Sequence, residues 1–170
     1  FNIDNFLKFK NKITYIVLDK EPSNIRKINS EDSKIIKNSK ILDNSINRDI
    51  GQRNFLLEEI KKFNDEDLIL LNDIDEIPNL EVLKNKNKIT IFKQKMIYYK
   101  FNLVYPNFLW MGSKICKKKH LISPQWLRNI KPKNYPWWRI DTLFSNKKYI
   151  NINFIENGGW HFSNIKKTEQ

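Results

Sequence analysis

Asp73 and Asp75 are separated by a single residue and follow an unbroken apolar run from Leu68 to Leu71. A short run of this kind reads as a strand buried on both faces, which places the two carboxylates at its C-terminal end. Carboxylate oxygens suit a hard divalent cation, and such a cation keeps coordination positions open for phosphate oxygens. In an open α/β sheet the loops leaving the strand C-termini form the ligand crevice. The simplest ligand for the pair is therefore a metal-bound diphosphate. Pro78, with no amide donor and a fixed φ, stops the strand from continuing. Glu76 adjoins the two acids and is expected to support them. Asp-x-Asp is a common tripeptide and an acidic turn is usually just solvated, so its weight comes from what surrounds it.

Three other groups have chemistry to offer. Arg48, Gln52 and Arg53 lie just ahead of an apolar stripe and read as the basic first turn of a helix, where free amides and a guanidinium fork can hold phosphate, although on these residues alone a plain surface helix start is the favoured reading. Tyr98, Tyr99, Phe101, Tyr105, Phe108 and Trp110 crowd one segment, and Trp137, Trp138 and Trp160 lie further on. Such rings are mostly core residues, yet their apolar faces also stack on sugars, so some are expected to line an acceptor groove. His161 follows Gly158 and Gly159, which permit close backbone approach. A histidine between two aromatics is more often a hydrogen-bonded core residue than a ligand.

The elements that must position these residues follow from periodicity. Ile13 to Leu18 is β-branched and aromatic and reads as a strand. Lys20 to Asn44, with Pro22 and scattered Ser and Asn, reads as a surface connection. Leu56, Ile60 and Phe63 recur at helical spacing, predicting an amphipathic helix over Asn47–Phe63. Strand, helix and the Leu68–Leu71 strand then form a right-handed βαβ crossover with parallel strands. A short helical segment over Leu80–Lys84 and a strand over Ile89–Phe92 follow.

The chain has 170 residues, 40% hydrophobic and 13% aromatic, enough for one packed domain and unlike a disordered chain. Cys116 is the single cysteine, which excludes an intramolecular disulfide and a cysteine-based zinc site. No apolar run reaches the ~20 residues that cross a bilayer. The net charge of +12, from 31 basic and 19 acidic residues, favours anionic partners without choosing among nucleic acid, an acidic membrane and a phosphorylated small molecule. Phe1 opens in the middle of an amphipathic segment, so upstream sequence is expected.

Read in order, Gln52-Arg53-Asn54, Asn72-Asp73-Ile74-Asp75-Glu76-Ile77-Pro78, Tyr98-Tyr99 with Asn102, Trp110-Met111-Gly112 and Gly159-Trp160-His161-Phe162-Ser163 resemble glycosyltransferase family 17. This family includes the β-1,4-N-acetylglucosaminyltransferase that adds the bisecting residue to N-glycans. The resemblance runs from about Ile13 to the end of the chain. It implies a GT-A-like, Rossmann-like α/β sandwich with a mostly parallel central sheet, here a single incomplete domain over residues 1–170 that lacks its first βα unit. It also implies Mn2+ or Mg2+ as cofactor, a UDP-sugar as donor and a glycan as acceptor. Asp73, Asp75 and His161 would hold the metal, with Asp73 also near the donor ribose. Arg48, Gln52 and Arg53 would lie by the diphosphate. Tyr99, Asn102, Trp110, Trp137, Trp138 and Trp160 would bind substrate.

Inverting transfer needs a carboxylate to take the acceptor proton opposite the leaving group. Asp141, just after the Trp137-Trp138-Arg139 turn, and Glu156, before the double glycine, are the two candidates. The rival readings are a basic nucleic-acid-binding protein, motivated by Trp126-Leu127-Arg128 and Trp137-Trp138-Arg139, its metal-dependent nuclease variant, and a non-catalytic carbohydrate-binding domain. The favoured reading expects no specific nucleic acid. Its expected location is the cytoplasm of a microbial or viral system, with Golgi-type anchoring only if upstream sequence supplies the anchor.

Overall fold

In a computed structural model, which describes residues 3–83 and 87–165, the run Leu68–Leu71 forms strand β1, and the chain turns at once through the two acids into β2, Glu76–Pro78. The remaining strands are β3 (Ile89–Phe92), β4 (Gln94–Tyr98), β5 (Val104–Trp110), β6 (Lys114–Lys117), β7 (Ile152–Ile155) and β8 (Gly159–Ser163). They form two sheets of four, ordered β1-β6-β3-β7 and β2-β8-β4-β5. Among these described strands β3/β7 and β4/β8 pair in parallel, and the other four pairings are antiparallel.

This is an α+β architecture, not the Rossmann-like, mostly parallel sandwich that the sequence leads one to expect. The reason is visible at β1. Its ladder partner is antiparallel β6, not a parallel strand delivered by a βαβ crossover. Residues 13–18 form no strand, and Tyr15 and Val17 are each 62% exposed, so their β-branched run has no face to bury. β1 itself is an edge strand with Leu68 exposed and only Leu71 buried, so covering on both faces belongs to β3 instead.

Alternation along β3 builds the core. Ile89 and Ile91 point to one side, where Cys116 and Ile152 meet Trp126, Leu127 and Ile130, while Phe92 points to the other with Ile115 and Ile155. Full burial of each such side chain contributes about 1.5–3 kcal/mol. Trp126 and Leu127 come from helix α3, Pro124–Asn129. The Ser123 hydroxyl accepts from the Trp126 amide at 3.1 Å and Pro124 opens the first turn, so a Ser-Pro pair fixes where this short helix starts.

The chain divides into two compact units, Phe1–Leu56 and Leu57–Gln170. The first carries helix α1, Lys34–Phe55, N-capped by Ser33; the second opens with one helical turn, α2, Leu57–Ile60. The helix expected over Asn47–Phe63 therefore begins earlier and breaks at Leu56. Apolar residues of its first turns, Ile35, Ile36, Ile41 and Leu42, are exposed, which is why no buried stripe announces it. A 3₁₀ turn, Leu80–Val82, replaces the expected Leu80–Lys84 helix, whose Lys84 lies outside the described residues. Among the described residues no helix is long and apolar enough to cross a membrane.

Gly159 allows β2 and β8 to meet. Its φ is 113°, and an added Cβ would lie 2.1 Å from the Ile77 carbonyl oxygen. That oxygen belongs to the paired backbone and has no side-chain freedom with which to yield. Gly159→Ala is expected to destabilise the second unit by more than about 2 kcal/mol, from backbone strain plus overlap, read as a lowered urea midpoint.

Candidate cation site on the second sheet

The register of β2 against β8 sets Glu76 directly opposite His161 and Pro78 opposite Gly159. On the other side of β8, Met96 of β4 is level with His161, so these three residues share one face of the sheet. The Asp75 carbonyl accepts from the Phe162 amide at 2.9 Å, tying the acidic turn to β8 beside the histidine. Residues 86 positions apart are thereby brought together: His161 Nδ1 lies 3.7 Å from Asp75 Oδ1.

That separation is too long for a hydrogen bond. It is close to the ~3–3.3 Å between neighbouring ligands of one octahedral ion with bonds of ~2.1–2.3 Å, a difference that a small shift of the part-exposed Asp75 side chain would close. His161 is 6% exposed, and its Nδ1 is buried with no hydrogen-bond partner. An orphaned buried polar atom costs about 1–3 kcal/mol, a cost that a bound cation would offset. The ring stacks on Trp110, centroids 4.4 Å apart and planes 12° from parallel, which fixes its orientation.

Beneath this pair lies a buried ionic hub. Glu76 is 2% exposed. Its carboxylate accepts from Trp110 Nε1 at 2.6 Å, the Ser113 hydroxyl at 3.0 Å and the Asp73 amide at 3.2 Å, and pairs with Arg128 at 2.8 Å. The second nitrogen of Arg128 reaches Asp73 Oδ2 at 2.7 Å, so one guanidinium fork clamps two of the three acids. Gly112 keeps the hub open, because a Cβ there would lie 1.9 Å from Glu76 Oε1. Lys114 of β6 donates to the carbonyls of Arg128 at 2.5 Å and Ile130 at 2.7 Å, holding the end of α3 and with it the arginine. Burial, and then the neighbouring Arg128 charge, push the Lys114 ammonium down to about 8.

Among the described residues no three His, Cys, Asp or Glu side chains form a ready metal cage. Asp75 supplies an oxygen donor that Mn2+ or Mg2+ accepts, and the His161 nitrogen favours the softer Mn2+ of the two; the remaining positions suit diphosphate and water oxygens. The donor set fits a cation held jointly with its ligand. Asp73, expected at the metal, is turned to Arg128 instead.

No protein-family model, curated protein or solved structure matches this chain.

The other expected site residues distribute as follows. Arg48, Gln52 and Arg53 belong to the first unit and sit in the last two turns of α1, not the first. A helix C-terminus carries partial negative charge, so the dipole argument for phosphate at these residues does not hold. Arg48 instead pairs with Glu21 at 3.0 Å, and Gln52 joins both around a small hollow. Trp160 faces away from His161 across β8 and is 43% exposed. Trp137 and Trp138 are exposed and perpendicular to each other, 6.0 Å apart. Tyr99 and the exposed Asn102 lie in the β4–β5 turn. Asp141 is bound by Arg139 at 2.8 Å and Lys148 at 2.6 Å; these two hydrogen-bonded cations, Arg139 foremost, hold its carboxyl down at about 2. Glu156 pairs with Lys93 at 2.5 Å in the turn after β7.

Sequence reasoning missed Arg128, Ser113 and Lys114. Arg128 was legible only as part of an aromatic-basic triplet, yet Trp126 and Leu127 are core and the arginine is spent on the acids. The Ser123-Pro124 helix start was the available signal that the triplet lies on a packed helix.

Proposed function

We propose that this chain is a metal-dependent inverting glycosyltransferase that moves a sugar, N-acetylglucosamine by the motif resemblance, from a UDP-sugar to a glycan hydroxyl. The observation that carries the reading is the meeting of Asp75 with a buried, unpartnered imidazole nitrogen, 3.7 Å apart, in the two motifs most specific to the resemblance. A divalent cation bound there would neutralise the diphosphate leaving group. Asp75 and His161 would hold it, with the stacked Trp110 fixing the imidazole and Arg128 tying down Asp73 in the same acidic turn. Of the two carboxylates considered for the acceptor proton, Asp141 is a poor acceptor at neutral pH because its two cations depress its pKa.

The nucleic-acid reading loses the Trp126-Leu127-Arg128 triplet to the core and the ionic hub. The test is thermal. UDP should raise Tm only when Mn2+ or Mg2+ is present, by several degrees at a hundredfold excess over Kd, where linkage contributes about 2.7 kcal/mol. Equal protection by UDP in excess chelator would mean that basic residues alone hold the nucleotide, and the cation site would fall.

A further inference from the structure

We infer that a cavity between β4 and β5 binds a neutral pyranose. Between the pairs Lys95–Leu109 and Ile97–Val104, β4 advances two residues while β5 advances five. The extra length, Tyr105-Pro106-Asn107-Phe108, leaves the ladder as a bulge. Pro106 lacks the amide to pair, and Asn107 turns the chain at φ 61°. A bulge re-aims side chains, and here Tyr105 and Phe108 come to wall a cavity of about 530 Å3 together with Met96, Tyr98 and Tyr99. That volume lies within the range of small-molecule sites, roughly 300–1,000 Å3.

The lining selects the ligand class. Although the chain carries a charge of +12, none of the five lining residues is charged, so the cavity is not built for an anion. Four aromatic faces with three phenol hydroxyls match a molecule that has both apolar C–H faces and hydroxyls, which describes a pyranose ring. Tyr99 is held at φ 61°, a left-handed conformation unusual for a bulky residue, with its amide donating to the Ser163 carbonyl at 3.2 Å. Strain of this kind, about 1–3 kcal/mol, collects at ligand clamps.

Met96 lines the cavity and pairs in register with His161, so the cavity opens on the sheet face that carries the candidate cation site. A sugar seated there is the acceptor for a donor held at Asp75 and His161. The assignment as acceptor rests on the glycosyltransferase reading; the binding of a sugar does not.

The experiment is saturation-transfer NMR on the whole chain with mannotriose and chitotriose, with a sulfated heparin tetrasaccharide and indole as controls. Native protein should bind at least one neutral trisaccharide saturably, in the millimolar range, in preference to both controls. Tyr105→Ala and Phe108→Ala, both at exposed positions, should each weaken that binding tenfold or more with an unchanged circular dichroism melt, while Tyr105→Phe, which keeps the stacking face, should lose less. Absence of saturable trisaccharide binding, preference for a control, or full affinity in both alanine variants overturns the inference. A separate titration of native protein with UDP and Mn2+ distinguishes the two readings. Sugar binding without donor binding refutes the transferase and leaves the cavity as a sugar site; donor binding without sugar binding refutes the cavity alone.

Discussion

Asp75→Asn is expected to weaken Mn2+-dependent UDP binding by more than about 100-fold while leaving the melting temperature of the unliganded protein within a degree or two. Outer partners of metal ligands already cost about 10–100-fold when removed, and a carboxylate that contacts the ion directly should cost more. The amide keeps the shape of the side chain but gives up the charge on the oxygen. The side chain of Asp75 is 44% exposed and contributes little packing, and its structural role, accepting from the Phe162 amide, belongs to its backbone carbonyl. Calorimetry with UDP and Mn2+ decides the matter. An affinity within a few fold of native would remove Asp75 from the site.

Arg128→Ala should be the most destabilising single change at the hub, by about 3–5 kcal/mol, because it strands the buried carboxylate of Glu76 without its cation. Against a total stability of about 5–15 kcal/mol this is a large fraction, and it predicts a fall in Tm on the order of 10 °C. Part of the penalty arises from the charge left behind, so the effect should depend on Glu76. The double variant Arg128→Ala with Glu76→Gln should be more stable than the sum of its single changes predicts. Arg128→Lys should fall between native and Ala, since a lysine retains the charge but cannot reach Glu76 and Asp73 with one planar fork. A loss below about 1 kcal/mol for Arg128→Ala would show that Trp110 Nε1, the Ser113 hydroxyl and the Asp73 amide satisfy Glu76 by themselves.

The contrast between these two residues shows what can be read in the chain before folding. Leu68–Leu71 and Ile89–Phe92 announce themselves as strands because local composition decides whether a short apolar segment extends. The acidic turn after β1 is legible for the same reason. Pairing partners are not local. Nothing in Leu68–Leu71 specifies antiparallel β6 over a parallel neighbour, so a βαβ reading of Ile13–Leu71 supplies the wrong topology. The start of α1 was hidden because its apolar residues face solvent and only the Ser33 cap marks it. Arg128 was hidden in another way: its ion pairs span more than fifty positions, and a basic residue carries no local sign of which acid it will meet. His161 lay between these cases. Its neighbours suggested a core residue, and it is buried, yet the β2–β8 register turns its Nδ1 toward Asp75. The aromatic segment departs further from a core reading, because Tyr99 and Phe101 are exposed in the β4–β5 turn and Tyr105 and Phe108 on the bulged edge strand β5.

The central claim is that one divalent cation is shared by Asp75 and His161, and pulsed electron paramagnetic resonance of the protein with Mn2+ and UDP addresses it most directly. A coordinated imidazole imprints a 14N coupling on the Mn2+ echo, whereas water, carboxylate and phosphate ligands do not. The expected result is a 14N modulation in the native complex that disappears in His161→Ala measured at Mn2+ and UDP concentrations high enough to saturate the variant. A native Mn2+–UDP complex with no nitrogen modulation, or one whose modulation survives the loss of His161, would contradict the account.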